Sequence, residues 1–387
     1  MSTFGVFVKK INDVINHENA DSLEIVMVDG YQVIVRKGIY YKGEMVAYIP
    51  ENSVLPEFVL KHIGLWDKDT NSGSSMMHGK NKNVVRAVKL RGIVSQGLVF
   101  PVTDDGTGDG YMTTGDGDGE FAIVREGDNV ASILCITKYE PEIPPHMSGE
   151  VFNIGTDVMI SFDIENIKSF PNIIEENEEV VFTEKIHGTA TIIGVLPLRH
   201  AHPEAFGENK NIIIASKGLG SKGLVFKNNK NNEKNLYIRT TRDIVSALDK
   251  MIDHETLESG FFILGETFGP KVQDLAYTDK VEFRCFGIVT GLGRKIDFLQ
   301  YDAMVTKCKE LNINTVPVVY RGNYTHELMK EHTDGNTTMS KNHIREGIVV
   351  VPINERKDFT IPSSNGRVWL KSVSVKYLMR KNGTEYN

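Results

Sequence analysis

The sequence predicts an α+β protein in two parts: a small β-barrel, then an antiparallel-rich domain with helices inserted between its strands. Three observations predict it. Short alternating strands broken by glycine turns recur through residues 5–101, a proline-rich stretch interrupts the chain at 138–145, and longer apolar runs beyond it are separated by amphipathic segments. At 387 residues with 40% hydrophobic side chains, the chain exceeds one typical core, so two domains are expected.

The barrel strands begin with Val6-Phe7-Val8, then Leu23 to Val28, the Asp29-Gly30 turn and Tyr31 to Val35, and then Met45 to Pro50. After Pro56 a short helix from Glu57 to Leu65 is expected, because proline at a first helical position costs no hydrogen bond. Asp67 to Asn83 and Asp104 to Gly119 are polar and glycine-rich and read as mobile hairpin loops. Val84 to Gly92 and Gly97 to Pro101 supply two more strands. Five or more strands in this span suggest an OB-type barrel, a fold that grips nucleic acid through basic and aromatic surface residues or serves as a structural barrel with protein contacts alone. Lys89 and Arg91, read on one face of their strand, are the nucleic-acid contacts expected here.

The stretch from Lys138 to Pro145 reads as an extended linker, giving a barrel over 1–138, a linker over 139–158 and a second domain over 159–387. Strands are expected at 180–184, 190–195, 211–215, 261–266, 281–289, 347–351 and 367–371, with helices near 240–253, 299–311 and 326–332. No phosphate-binding G-x-x-x-x-G-K-[ST] loop is present, so a bound nucleotide needs another cradle.

Charge narrows the partners. The net charge is -7, which disfavours indiscriminate polyanion binding, yet 30 of the 44 basic residues lie in 161–387. Within 217–242 stand Lys217, Lys222, Lys227, Lys230, Lys234, Arg239 and Arg242 against Glu233 alone, a local polyanion footprint. No apolar run is long enough to span a bilayer and the first residues lack a secretory pattern, so a soluble, cytoplasmic protein is expected, with a viral or phage origin open. Cys135, Cys285 and Cys308 are widely spaced and read as reduced core thiols without metal spacing. His200 and His202 lack further ligands nearby and read as exposed.

The chemistry centres on Glu184-Lys185-Ile186-His187-Gly188-Thr189, between the runs Val180–Thr183 and Ala190–Ile193. A lysine at such a bend is a nucleophile if its amine is made neutral, as only about one in a thousand is near neutral pH. Four later segments can serve it. Ser216-Lys217-Gly218 ends a strand in a cation that can meet phosphate or solvent. Gly265-Glu266-Thr267-Phe268-Gly269 places a carboxylate at the end of an apolar strand, suited to a ribose hydroxyl or a metal-bound water. In Glu282 to Ile288, Phe283 and Phe286 face opposite ways; both can pack the core, or one can stack on a base, and spacing does not choose. Glu346-Gly347 opens one buried strand and Arg367 to Lys371 ends another in cations. Two carboxylates and several cations in one groove are what Mg²⁺- or Mn²⁺-assisted nucleotidyl transfer needs.

Read in order, K-x-H-G (Lys185 to Gly188), S-K-G (Ser216 to Gly218), G-E-x-F-G (Gly265 to Gly269), F-R-C-F-G (Phe283 to Gly287), E-G-I-V (Glu346 to Val349) and W-L-K (Trp369 to Lys371) resemble the motifs of the covalent nucleotidyltransferases, the superfamily of ATP-dependent ligases and capping enzymes. The histidine in K-x-H-G looks like RNA ligases of the RNA ligase 2 kind. The amino-terminal half, with Leu90 to Leu98, and the stretch Phe162-Asp163-Ile164-Glu165-Asn166 are similar to the RNA ligase 5 group, in which an OB domain precedes an ATP-grasp-like transferase domain.

The resemblance implies an ATP-dependent RNA ligase that joins 3′-hydroxyl and 5′-phosphate ends, at nicks or breaks, through lysyl-AMP. It implies Lys185 as the adenylylated nucleophile, Glu266 on the ribose and at the metal, Phe286 on adenine, Glu346 at the Mg²⁺ or Mn²⁺, and Lys371 on the α-phosphate. His187 would act later, at sealing. Thr183, Glu184, Ile186 and Gly188 around the lysine would touch the nucleotide, while Lys217, Lys222 and Lys227 would meet RNA. There are departures. Lys217 stands where relatives carry arginine, Gly287 where many carry aspartate, and Trp369 where many carry a second lysine, a charge that Arg367 is expected to supply. Little sequence follows Lys371, so any grip on RNA outside the transferase domain is expected from the barrel, in a chain acting as a monomer. A DNA nick ligase, a capping guanylyltransferase and a non-catalytic RNA-binding clamp remain alternatives.

Overall fold

The computed structural model describes residues 4–104, 109–114, 121–207, 211–380 and 383. The chain divides into two units, one of Phe4–Tyr139 with Lys168–Pro171, the other of Glu140–Ile167 with the described residues from Asn172 onward.

In the first unit, Phe7–Lys10, Met45–Ile49 and Leu98–Pro101 form one antiparallel sheet and Asp13–Asn16, Leu23–Val28 and Tyr31–Arg36 form a meander. Met45–Ile49 is buried at every position because both its faces meet core. Val8, Ala47, Ile49 and Phe100 pack on one side, and Val46, Tyr48, Val28 and Val99 on the other. The helix runs over Glu57–His62, shorter than expected, since Gly64 turns the chain at φ 74°. The return segment is held by close approach. Gly30 donates its N–H to the Lys168 carbonyl at 2.7 Å, and a Cβ there would lie 2.8 Å from Lys168 Cα.

Two expectations change here. Lys89 lies in the strand Val88–Leu90, but Arg91 does not share its face: Arg91 (φ 47°) and Gly92 (φ 96°) form the two-residue turn into Ile93–Ser95. Both side chains are exposed. In the stretch from Asp104 to Gly119, Asp109–Thr113 is a strand paired with Phe121–Arg125, while 105–108 and 115–120 lie outside the described residues.

The second unit stacks two five-stranded sheets. The first orders Glu165–Asn166, Leu370–Val373, Gly347–Pro352, Glu179–Lys185 and Val318–Asn323; the second orders Ile212–Ser216, Thr189–Val195, Phe261–Phe268, Glu282–Leu292 and Lys295–Phe298. All pairings are antiparallel except Glu165–Asn166 with Leu370–Val373. Val349 and Val351 of one sheet, with Trp369 just before its Leu370–Val373 strand, meet Ile192, Phe262 and Leu264 of the other. On the far face of the second sheet, Ile193, Ile263 and Phe283 pack against Val245 and Leu248 of the helix Leu236–Met251 and Met304 and Cys308 of the helix Tyr301–Glu310. The expected terminal strand 367–371 begins later, at Leu370, because Arg367 follows the turn Ser364–Gly366. Of the three thiols, Cys285 and Cys308 are buried but Cys135 is exposed, correcting its reading as a core residue. No helix among the described residues is long and apolar enough to cross a membrane.

Candidate active site

The site forms where the chain passes from the first sheet to the second. Lys185 ends its strand, Ile186 to Gly188 make the crossing, and Thr189 begins the next strand. The crossing is tight. A Cβ on Gly188 would lie 2.3 Å from the Thr267 carbonyl oxygen, so glycine is required for the backbones to approach. Gly188 donates its N–H to Glu266 Oε1 at 3.0 Å, and Gln273 donates to the Gly188 carbonyl at 3.0 Å.

Register brings the carboxylate to the lysine. Lys185 pairs with Gly347, and the preceding residue, Glu346, places Oε1 2.5 Å from Lys185 Nζ. Gly347 cannot be larger, because its Cβ would lie 2.1 Å from the Ser372 carbonyl oxygen. Burial pushes the Glu266 carboxyl up to about 8; Glu346 adds to the rise, while Lys185 and the Gly188 N–H oppose it. The ammonium of Lys371 is held below its ordinary range, chiefly by burial and further by Lys217 and Lys185, against the pull of Asp163. Burial alone would raise the Asp163 carboxyl, but Lys217, 3.1 Å away, and Lys371 hold it low. Lys185, Lys217 and Lys371 therefore share one electrostatic site with Glu266, Glu346 and Asp163.

Phe286 lies on the face between the sheets, its ring 5.8 Å from Phe162 and 6.1 Å from Trp369. Phe283 is on the opposite face, in the core beneath the helices. The two rings thus lie on opposite faces of the strand, Phe286 toward the other sheet and Phe283 toward the helices.

Other expected residues point elsewhere. Thr183 is buried, with its hydroxyl donating to the Val349 carbonyl at 3.4 Å. Glu184, on the opposite side of the strand from Lys185, accepts from the Thr338 N–H at 2.9 Å and hydroxyl at 2.8 Å. Ile186 packs with Phe268, Tyr277 and Val316. Arg367 does not supply the missing motif cation. Its guanidinium pairs with Glu355 at 3.0 Å and is sandwiched between Phe298 and Trp369, each 4.3 Å from the ring centroid. A planar cation buried this way is held by its own carboxylate and rings, so the expectation of a phosphate contact is corrected. Lys217 is likewise not a solvated strand end, given its Asp163 partner, whereas Lys222 is exposed and Lys227 lies 4.0 Å from Glu150. His202 is half-buried against Phe152 and Phe206 and 3.2 Å from Glu204, not exposed as expected.

Several residues around His187 carry no local signal in the sequence. His187 is 5% exposed, and its ring is gripped at both nitrogens. Nε2 lies 2.9 Å from Asp274 Oδ1 and Nδ1 lies 2.8 Å from the Tyr377 hydroxyl. Its backbone N–H donates to the Tyr277 hydroxyl at 2.9 Å, and Arg380 bridges the His187 ring and Asp274. Only Asp163 among these additions sat in a stretch already noticed, Phe162 to Asn166.

No group of three or more His, Cys, Asp or Glu side chains suited to a metal stands among the described residues. The donors fit a hard divalent cation in a different way. The Glu346 and Glu266 carboxylates flank the lysine, and such ions are bound by one or two carboxylates, completed by water and phosphate oxygens.

The RNA ligase family model matches residues 178–373, and an OB-fold domain model matches residues 6–102. No curated protein matches the chain. Among solved structures, Naegleria gruberi RNA ligase with PPi is 21% identical, with a TM-score of 0.69, covering 96% of this chain and 97% of that one. A mutant of that ligase with ATP and Mn is 20% identical with a TM-score of 0.68, covering 97% and 98%. A mutant with AMP and Mn is 20% identical with a TM-score of 0.69, covering 96% and 97%. At this identity the likeness is one of fold, over both units of the chain.

Proposed function

The chain belongs to the RNA ligase family, and from that premise we propose that it joins RNA 3′-hydroxyl and 5′-phosphate ends with ATP through a covalent lysyl-AMP on Lys185. The observation that carries this is the convergence of Lys185, Lys217 and Lys371 with Glu346 and Glu266 at the sheet crossing. The similar Naegleria ligase structures hold ATP, AMP and Mn, which supports the same nucleotide and a divalent cation for this chain.

Neutral Lys185 attacks the α-phosphorus of ATP; the N–P bond forms as pyrophosphate leaves with the electron pair of the broken P–O bond. Glu346, in contact with the ammonium, orients the lysine and balances its charge. Lys371 and Lys217 take up charge developing on the phosphates, Glu266 meets the ribose, and Phe286 offers its ring to adenine. A Mg²⁺ or Mn²⁺ held by Glu346, with Glu266 beside it, would supply electrostatic stabilisation of the phosphate oxygens. The Lys185 N–P bond then breaks as the AMP phosphorus bonds to an oxygen of the RNA 5′-phosphate; the lysine leaves as the amine, and AMP is held in anhydride linkage to the RNA 5′-phosphorus. Finally the 3′-hydroxyl oxygen bonds to that phosphorus, AMP leaves, and the hydroxyl proton passes to water, with His187 acting at this sealing step. We place the nucleotide in the two-sheet unit and assign the exposed Lys222, Lys89 and Arg91, with the half-buried Lys227, to RNA backbone contacts; their charge and the exposure of the first three support this.

The test is incubation with ATP labelled at the α-phosphate, followed by sealing assays on nicked RNA and nicked DNA duplexes. Label on the wild type that is lost in Lys185→Ala, with sealing of RNA 3′-hydroxyl ends, is expected. Label that persists on Lys185→Ala would sink the assignment, and label from GTP alone would make it a guanylyltransferase.

A further inference from the structure

The imidazole of His187 is held by two elements far apart in the chain. Asp274 comes from the loop after the Phe261–Phe268 strand, and Tyr377 from the short helix Val375–Leu378 that follows the last strand. His187 Nε2 lies 2.9 Å from Asp274 Oδ1 and 3.1 Å from Arg380 Nη2, so the carboxylate and the guanidinium meet the same ring nitrogen. Nδ1 lies 2.8 Å from the Tyr377 hydroxyl, and that same edge faces Glu346 Oε2 at 3.8 Å.

Each gripping group is itself fixed. Arg380 donates through Nε to Asp274 Oδ2 at 2.8 Å and through Nη2 to Oδ1 at 3.1 Å, a two-point charge-assisted contact. The same guanidinium lies 3.6 Å over the Tyr377 ring. The helix is anchored to the backbone of Glu346 by its cap. Ser374 donates its N–H to the Glu346 carbonyl at 2.8 Å, and its hydroxyl accepts from the Tyr377 N–H at 3.3 Å and donates to Asp334 at 2.6 Å.

We propose that Asp274, Tyr377 and Arg380 are positioning residues for His187, and that through them the segment following the Leu370–Val373 strand is a working part of the active site. The inference rests on the reading above, in which His187 acts at strand sealing. A ring held at both nitrogens has one orientation, so it meets the reacting phosphate without reorganising, and loosening either grip costs the step in which it acts. Adenylylation of Lys185, which the lysine cluster serves, depends less on this grip.

The experiment follows each step separately in the full chain: lysyl-AMP formation from labelled ATP, and sealing of a nicked RNA duplex already carrying the 5′-adenylyl group. Tyr377→Phe keeps the ring and removes the hydroxyl; Asp274→Asn removes the charged acceptor. Each is expected to slow sealing about tenfold, the effect of one well-placed hydrogen bond, while lysyl-AMP formation stays within about threefold. In His187→Ala, adding Tyr377→Phe is expected to cost nothing further, because the hydroxyl acts only through the ring. Arg380→Gln, tested the same way, should show the same non-additivity. Equal loss of both steps, or a Tyr377→Phe loss that multiplies with His187→Ala, overturns the proposal. If the wild type takes up no label, the functional reading fails and this one with it. If the wild type seals RNA while Tyr377→Phe seals as fast, this proposal alone fails.

Discussion

Lys185 Nζ and Glu346 Oε1 lie 2.5 Å apart across neighbouring strands, although the two residues are 161 positions apart in the chain. The pair is only partly exposed, so the contact is screened less than a surface salt bridge. Replacing Glu346 by Gln keeps the shape but removes the charge that orients the ammonium and serves the cation. Lysyl-AMP formation is expected to fall roughly 10²-fold or more, measured as the initial rate of label uptake from ATP.

Gly188 predicts a stability effect at the crossing. Adding a Cβ forces the Thr267 carbonyl, 2.3 Å away, or the whole turn to move. Gly188→Ala is expected to cost about 2 kcal/mol or more, read as a lower denaturation midpoint of the two-sheet unit, because backbone cannot yield as a flexible side chain does.

Glu266 predicts a pH dependence. Its folded-state carboxyl is pushed up to about 8, chiefly by burial, from an ordinary value of 4.5. Between those values the folded chain binds a proton that the unfolded chain has released, so stability falls as pH rises through this window and levels off above it. Glu266→Gln removes that contribution. Thermal unfolding at pH 5 and pH 8 should therefore show a smaller drop for Glu266→Gln than for the wild type; equal drops would contradict the assignment.

Arg367 separates structural from catalytic cations. Its guanidinium contacts Glu355 at two points between two aromatic faces, a geometry that an ammonium cannot reproduce. Arg367→Lys is expected to destabilise by about 2 kcal/mol with the KM for ATP unchanged. Lys371→Ala is expected to do the reverse, lowering label uptake with little loss of unfolding temperature.

Much of the molecule was legible in its residues. Strand positions followed from period-2 alternation and glycine turns, as with Glu179–Lys185 and Phe261–Phe268, because a pleated strand must sort its side chains by face. Lysine, carboxylates and glycines at strand ends were legible too, since nucleotidyl transfer needs those groups and close backbone approach there. The reading failed where a local pattern has two outcomes. Arg91 looked like a strand residue but sits in a turn, and Arg367 looked like a free cation but is paired with Glu355.

The sequence by itself determined the elements and the chemical inventory at their ends, because both depend on short-range periodicity and residue type. Tertiary structure alone decided the partners. Phe286 rather than Phe283 lies between the sheets because the second sheet packs that face on the first. His187 is set by Asp274, Tyr377 and Arg380, which are 87, 190 and 193 positions away. Such contacts follow from strand register and sheet packing, which bring distant side chains within hydrogen-bond reach and leave no periodic trace along the chain.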